Sequence, residues 1–170
     1  YVAKDIHYGV DGTTYKLYHK DEFVTEVRLI VPGRHNVLNS VGAFVAAREM
    51  GIADETILKA LEQFGGAKRR FETKGKVNGV WVVDDYAHHP TEIEVTLKAA
   101  RQTQPKRLLC LFQPHRYTRT QLLFKEFCNC FNDCDEVILT DIYAASENPI
   151  PGITSEALAE GISKATGKAV

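Results

Sequence analysis

Hydrophobic and polar positions along the chain change period several times, and each change predicts an element. The first thirty residues read as strands and turns. Val10-Asp11-Gly12 is a turn signal, and Thr13 to Tyr18 alternates. Glu22 to Val31 carries Phe23, Val24, Val27, Leu29, Ile30 and Val31, a β-rich run that stops at Pro32-Gly33. From Asn36 to Met50 the alternation gives way to Val37, Val41, Phe44 and Val45 among alanines, which predicts a helix closed by Gly51. Asp54 is the expected cap of a second helix with Ile57, Leu58 and Leu61 on one face. Gly65-Gly66-Ala67-Lys68-Arg69-Arg70 reads as a linker or hinge.

Beyond it the pattern becomes regular. Phe71 to Trp81 predicts a hairpin turning at Asn78-Gly79. Val80 to Val83 is an apolar run of the kind found in buried parallel strands. A helix starts at Pro90, with Ile93, Leu97 and Ala100 inward. Arg107 to Phe112 is the next apolar run. A helix from about Arg119 carries Phe124, Phe127, Cys128 and Phe131, and Glu136 to Thr140 is a third run. Thr154 or Ser155 caps a last helix with Leu158 and Ile162 inward. Strand followed by helix, three times over, predicts an α/β fold with a doubly wound, mostly parallel sheet and right-handed crossovers. The expected division is the end of one mixed strand/helix domain over 1–68 and an α/β domain over 69–170.

In open α/β sheets, ligands bind beyond the carboxyl ends of the strands. The unusual polar residues of this chain fall in those three loops: Asp84 to Glu92, with Asp85, Tyr86, His88 and His89; Gln113 to Arg119, with His115, Arg116 and Arg119; and Asp141 to Pro149, with Tyr143 and Glu147. The plainer reading makes Asp85 and Thr91 helix caps and the remainder solvated loop. Three such loops in register favour a site on one rim. A second cluster, Gly33-Arg34-His35-Asn36-Val37-Leu38-Asn39, places two carboxamides three residues apart at a helix start. A carboxamide matches the donor–acceptor edge of adenine, and asparagine is equally a favoured N-cap.

Charge narrows the function classes. Lys+Arg 21 against Asp+Glu 22 leaves a net charge of -1, which offers no general attraction to nucleic acid or to an anionic membrane. No apolar run approaches the ~20 residues that span a bilayer. No signal peptide is visible and there is no initiating Met, so the chain reads as an excerpt of something longer. Cys110, Cys128, Cys130 and Cys134 lack the paired spacing of a zinc knuckle and read as reduced thiols of a cytoplasmic protein. No metal ligand is assigned. No GxGxxG follows a strand, which argues against a dinucleotide cofactor, and no GxxxxGK[ST] phosphate loop is present.

Taken together, Gly33-x-His35-Asn36-x-x-Asn39, Arg69-Arg70-Phe71-Glu72, Asp84 to Glu92 (DDYAHHPTE), Gln113 to Thr120 (QPHRYTRT) and Asp141 to Glu147 (DIYAASE) resemble the motifs of the Mur ligases from about Val31 onward. The last two resemble the branch that adds L-alanine. The resemblance implies a bacterial, cytoplasmic, three-domain enzyme of peptidoglycan synthesis. An N-terminal domain holds the UDP-sugar, a central domain holds MgATP, and a C-terminal Rossmann-like domain closes over both. This chain would supply the C-terminal part of the central domain (1–68) and a truncated C-terminal domain (69–170), inactive without its own missing domains. The implied reaction joins L-alanine to the lactyl carboxylate of UDP-N-acetylmuramate through an acyl phosphate, with ATP and Mg2+, the metal ligands lying mainly outside this chain. By motif position, His35, Asn36, Asn39, Arg69, Arg70 and Asp85 would serve ATP, with Arg69 the lesser neighbour of Arg70. Tyr86, His88, Arg116 and Arg119 would hold L-alanine, and His88, Arg116 and Arg119 would carry the catalysis. His89 reads as a helix-start contact. Tyr143, Glu147 and His115 have no assigned role.

Two other readings compete. A related ligase attaches a preformed tripeptide to UDP-N-acetylmuramate; the Arg116–Arg119 pair favours the free amino acid. A non-catalytic nucleotide-binding module would keep the fold without the chemistry.

Overall fold

A computed structural model describes residues 1–9 and 12–170. The Val10-Asp11 turn signal lies outside the described residues. The chain divides into two compact units, one of Tyr1–Tyr86 with Gln102–Gln104, the other of Ala87–Arg101 with Pro105–Val170.

In the first unit, β1 (Val2–Gly9), β2 (Gly12–His19) and β3 (Glu22–Leu29) form an antiparallel sheet in the order β1-β2-β3. Tyr15, Leu17, Val27 and Leu29 are buried on one of its faces, as alternation requires. Against it pack α1 (Arg34–Glu49), through Val37 and Phe44, and α2 (Asp54–Gln63), through Ile57, Leu58 and Leu61. The Tyr15 hydroxyl and Ser40 Oγ, 2.8 Å apart, join sheet to helix inside this core. Gly51, at φ +83, ends α1 as expected. Its N–H donates to Arg48 O and that of Ile52 to Ala47 O, the paired bonds of a Schellman stop.

The expected cap of α2 moves, and the alternative N-cap reading of Asn36 fails. Ala53, not Asp54, occupies the cap of α2, and Asp54 in the first turn pairs with Arg48 at 3.2 Å. Gly33, at φ +100, caps α1. Asn36 lies inside the first turn and donates from Nδ2 to Pro32 O at 2.7 Å, so it is no cap.

The hairpin stands where the sequence places it. β4 (Glu72–Val77) and β5 (Val80–Asp84) pair antiparallel, and Asn78 and Gly79 both take positive φ, 50 and 78. The Val80–Val83 run is therefore not a buried parallel strand. Its described ladder is antiparallel with β4, and Val80 and Val82 are exposed. Trp81 is held on the other face by Phe71, by Lys76 over its ring and by a bond from Nε1 to Thr73 Oγ1 at 3.1 Å.

In the second unit, β6 (Leu109–Phe112) and β7 (Glu136–Leu139) pair in parallel, Leu109 against Glu136 through Phe112 against Leu139, and an isolated bridge continues the direction at His115–Tyr143. This is the parallel part of the expected sheet. The helix from Arg119 divides into α4 (Tyr117–Leu122) and α5 (Phe124–Asn129) at Leu123, φ -112 and ψ 24. With α3 (Pro90–Gln102) and α6 (Ser155–Thr166) they enclose Ile93, Leu97, Phe112, Phe127, Phe131, Val137, Leu158 and Ile162. Thr154 caps α6, its Oγ1 accepting from Ala157 N at 3.1 Å. Cys128, Cys130 and Cys134 are free thiols in this core; burial pushes Cys130 up to about 12. The whole is an α/β fold.

Candidate functional site

In the first unit, the start of α1 carries His35, Asn36 and Asn39 because Gly33 turns the chain from β3 into the helix. Asn36 is half-buried and Asn39 exposed. His35 is half-buried. Burial pushes its imidazole below the ordinary 6.5; the Arg70 guanidinium adds to this and the Asp85 carboxylate opposes it. His35, Arg70 and Asp85 therefore share one electrostatic neighbourhood although 50 residues separate the first from the third.

The turn at Arg69 (φ 56) and Phe71 (φ 50) is laced to the end of β5. Asp85 Oδ2 accepts from Phe71 N–H at 2.8 Å, and Tyr86 N–H donates to Arg69 O at 2.8 Å. The Arg69 guanidinium lies 4.5 Å from the centre of the Tyr86 ring and its Nε 3.9 Å from Asp84 Oδ2. Arg69 is thus more than a solvated surface charge. Asp85 is a carboxylate oriented by a backbone donor rather than a helix cap.

In the second unit, Glu92 reaches back over the first turn of α3. Its Oε2 accepts from the N–H groups of His88 at 3.0 Å and His89 at 3.2 Å, and lies 3.5 Å from His88 Nδ1. His89 Nδ1 accepts from Thr91 N–H, a helix-start contact as expected.

The second and third loops are joined by backbone and side chain alike. Tyr143 N–H donates to Pro114 O and Arg116 N–H to Tyr143 O, each at 2.8 Å. The His115 and Tyr143 rings lie 5.2 Å apart. Thr120, fully buried, donates from Oγ1 to Arg116 O at 2.8 Å and holds the Arg116 backbone at φ 75. Glu147 accepts from Thr118 N–H and Oγ1–H and pairs with Arg116. His115 sits among these charges: burial, then Arg119, Arg116 and His88, push its imidazole below 6.5, against Glu147. His88, His115, Arg116, Arg119 and Glu147 accordingly form one cluster. Beside it is a pocket of about 480 Å³ lined by Tyr117, Asp141, Ile142 and Thr154 among others.

Sequence reasoning missed Glu92 and Glu147 as partners. Glu92 was legible as the residue four after His88 on a helix start. Glu147 pairs across 29 residues, and no local signal points to Thr118. Among the described residues, no three His, Cys, Asp or Glu side chains are arranged to hold a metal ion.

What such a cluster offers is two guanidiniums and an imidazole with a carboxylate at its Nδ1, suited to a small anion or amino acid whose proton must be removed. Comparison with known proteins gives it a setting. The chain is 49% identical over all 170 residues to the UDP-N-acetylmuramate--L-alanine ligase of Syntrophus aciditrophicus, covering 35% of that protein. It is 55% identical over 142 residues, 83% of the chain and 31% of the relative, to the same-named protein of Solidesulfovibrio magneticus. The crystal structure of the UDP-N-acetylmuramate-alanine ligase of Thermotoga maritima superposes with TM-score 0.82 at 26% identity, covering 98% of this chain and 35% of that one. The chain thus spans about a third of the length of the curated relatives it matches. Residues 69–170 match the family model described as Mur ligase, glutamate ligase domain, and the chain belongs to the Mur ligase family.

Proposed function

We propose that the protein containing this chain is an ADP-forming ligase that joins L-alanine to the lactyl carboxylate of UDP-N-acetylmuramate in the bacterial cytoplasm, for peptidoglycan synthesis. The observation that carries the reading is the cluster of His88, Arg116 and Arg119 in a chain 49% identical over its full length to a protein of that name. Residues 1–68 are read as the end of the central ATP-binding domain and 69–170 as the C-terminal domain.

The lactyl carboxylate attacks the γ-phosphorus of ATP, and ADP leaves. The amine of L-alanine then attacks the acyl phosphate carbon, the new amide forms, and phosphate leaves. Charge accumulates on oxygens in both steps, so the protein's contribution is positioning and electrostatic complementarity. Asn36 and Asn39 face the adenine edge with His35, whose imidazole burial pushes below its ordinary value. Asp85, oriented by Phe71 N–H, accepts from ribose hydroxyls. Arg70, with Arg69 beside it, lies toward the phosphates. Bound Mg2+ would supply charge neutralisation at the phosphate oxygens, held mainly by residues outside this chain. Arg116 and Arg119 fork onto the L-alanine carboxylate, and Tyr86 is assigned to the same substrate. His88 takes a proton from the incoming ammonium, its ring oriented by Glu92.

The test is amino-acid-dependent phosphate release by the full-length protein with UDP-N-acetylmuramate and MgATP. L-Alanine is expected to exceed glycine, L-serine and a cell-wall tripeptide. Preference for the tripeptide, or no amino-acid dependence, overturns the reading.

A further inference from the structure

Glu147, in the third loop, has both carboxylate oxygens committed. Oε1 accepts from Thr118 Oγ1 at 2.6 Å and lies 3.8 Å from Arg116 Nη1; Oε2 accepts from Thr118 N–H at 3.0 Å. Its side chain is 19% exposed, against 49% for Arg116. The backbone on both sides is held in costly conformations: Arg116 at φ 75, Ala145 at φ 48 and Ser146 at φ 71. Non-glycine residues keep such angles only where surrounding contacts over-determine them. Here those contacts are the Thr118 bonds, the Tyr143–Arg116 and Pro114–Tyr143 backbone bonds, and the Glu147 N–H donating to Ala144 O.

The Thr118 bonds stabilise the clasp, but stability does not account for the placing of Glu147 beside Arg116. A half-exposed ion pair at 3.8 Å contributes little in water. Orientation does account for it. An arginine side chain carries large rotamer freedom, and its guanidinium has five donors in a rigid fork. A fixed carboxylate 3.8 Å from one Nη biases the side chain toward rotamers that keep the fork on that side, so a carboxylate that meets its donors does so with part of the ordering already done. Direct capture of a substrate ammonium by Glu147 is the competing idea, and its two occupied, mostly covered oxygens argue against it.

We infer that Glu147 is a positioning residue for amino-acid recognition: through Thr118 it clasps the second and third loops together and aims the Arg116 guanidinium at the carboxylate of the incoming amino acid. This rests on the ligase reading above. The ordering of its partners is consistent with a carboxylate that stays charged: the Thr118 hydroxyl first, then its N–H, hold Glu147 below the ordinary carboxylate range, with Arg116 contributing less.

The experiment measures phosphate release by the full-length protein as wild type, Glu147→Gln, Arg116→Lys and the double variant, with KM for L-alanine and for ATP obtained separately. Glu147→Gln is expected to raise the L-alanine KM about tenfold, the scale of a misaimed charge-assisted fork, with the ATP KM changed less than about twofold. In the Arg116→Lys background the further rise should fall below about twofold, since partners that act as a unit are not additive. An unchanged L-alanine KM, an equal rise in both backgrounds, or parallel rises in both KM values overturns the inference. Should Glu147→Gln fail to fold, Thr118→Val serves instead. It removes one clasping bond and is expected to raise only the L-alanine KM, by about threefold; no rise there overturns the inference equally. A wild type that releases phosphate without regard to L-alanine removes the ligase reading and this inference together. A wild type that responds to L-alanine, with unaffected variants, removes the inference alone.

Discussion

The His88 imidazole has a carboxylate oxygen of Glu92 3.5 Å from its Nδ1, and the same oxygen takes the His88 N–H. Such a contact orients the ring for the proton transfer proposed for it. A base of this kind is needed only for the amine step. His88→Gln in the full-length protein should therefore lower kcat by about 10²-fold or more, the usual worth of general base catalysis, while the ATP Kd from calorimetry stays near the wild-type value. An unchanged kcat removes the base assignment. Two other histidines give a pH signature. His35 and His115 both have folded values below the ordinary 6.5. The unfolded chain then binds more protons than the folded one between the two values, so stability contributed by neutral His35 and His115 is present above about 6.5 and lost as pH falls through the folded values. Melting temperature should drop from pH 7.5 to pH 5.5, above the range where the carboxylates titrate, and His35→Asn should flatten the slope. A wild type with no slope over that interval contradicts the prediction.

α5 and α6 meet at Gly161, where a glycine stands in mid-helix for a reason the pattern does not disclose. A Cβ there would lie 2.5 Å from Cys128 Sγ and 3.2 Å from Phe124 Cε1. Gly161→Ala gains helix propensity of about 1 kcal/mol, yet overpacking of a buried contact costs about 1–3 kcal/mol, and at 2.5 Å the clash wins. The urea midpoint should fall, and Cys128→Ala in the same chain should recover part of the loss by removing the sulfur. A stabilised Gly161→Ala would mean that the helices separate more readily than their packing indicates. The division of the expected helix at Leu123 belongs to the same contacts. Thr120, Phe127 and Phe131 are all fully buried, and Phe124 packs over Gly161, so the turn between α4 and α5 follows the core and not a proline or glycine.

The residues of this chain proposed for ATP are assigned to adenine, ribose and the approach to the phosphates, and the sequence holds no GxxxxGK[ST] loop. The 170-residue chain by itself is accordingly expected to release no phosphate with all substrates present, and calorimetry should find no ATP binding tighter than about 100 μM, since the charge-assisted triphosphate contacts dominate such affinity. Tight binding by this chain alone would contradict the assignment of the phosphates to other domains. Each of its two units nonetheless has its own core, the first around Tyr15, Leu17 and Phe44, the second around Phe127, Phe131 and Leu158. No helix among the described residues is long and apolar enough to cross a membrane.

Much of this was readable without coordinates. The strands over Thr13–Tyr18 and from Glu22, α1 with its Gly51 stop, the Asn78-Gly79 hairpin, the Pro90 start and a cap at Thr154 or Ser155 follow from interactions between residues a few positions apart, which a linear pattern records directly. The candidate residues were also legible, because unusual polar side chains stood where strands give way to helices. Three matters were decided only by tertiary contacts. Val80 to Val83 looks alike whether its partner is parallel or antiparallel, and the partner turned out to be β4. Asn36 and Asp54 are good caps by type, yet the backbone entered each helix one or more residues earlier, at Gly33 and Ala53. Glu147 gained its meaning from Thr118 and Arg116, and His35 from Arg70 and Asp85. Such pairings join residues tens of positions apart, and their strength depends on distance and burial in three dimensions, quantities that spacing along a chain does not contain.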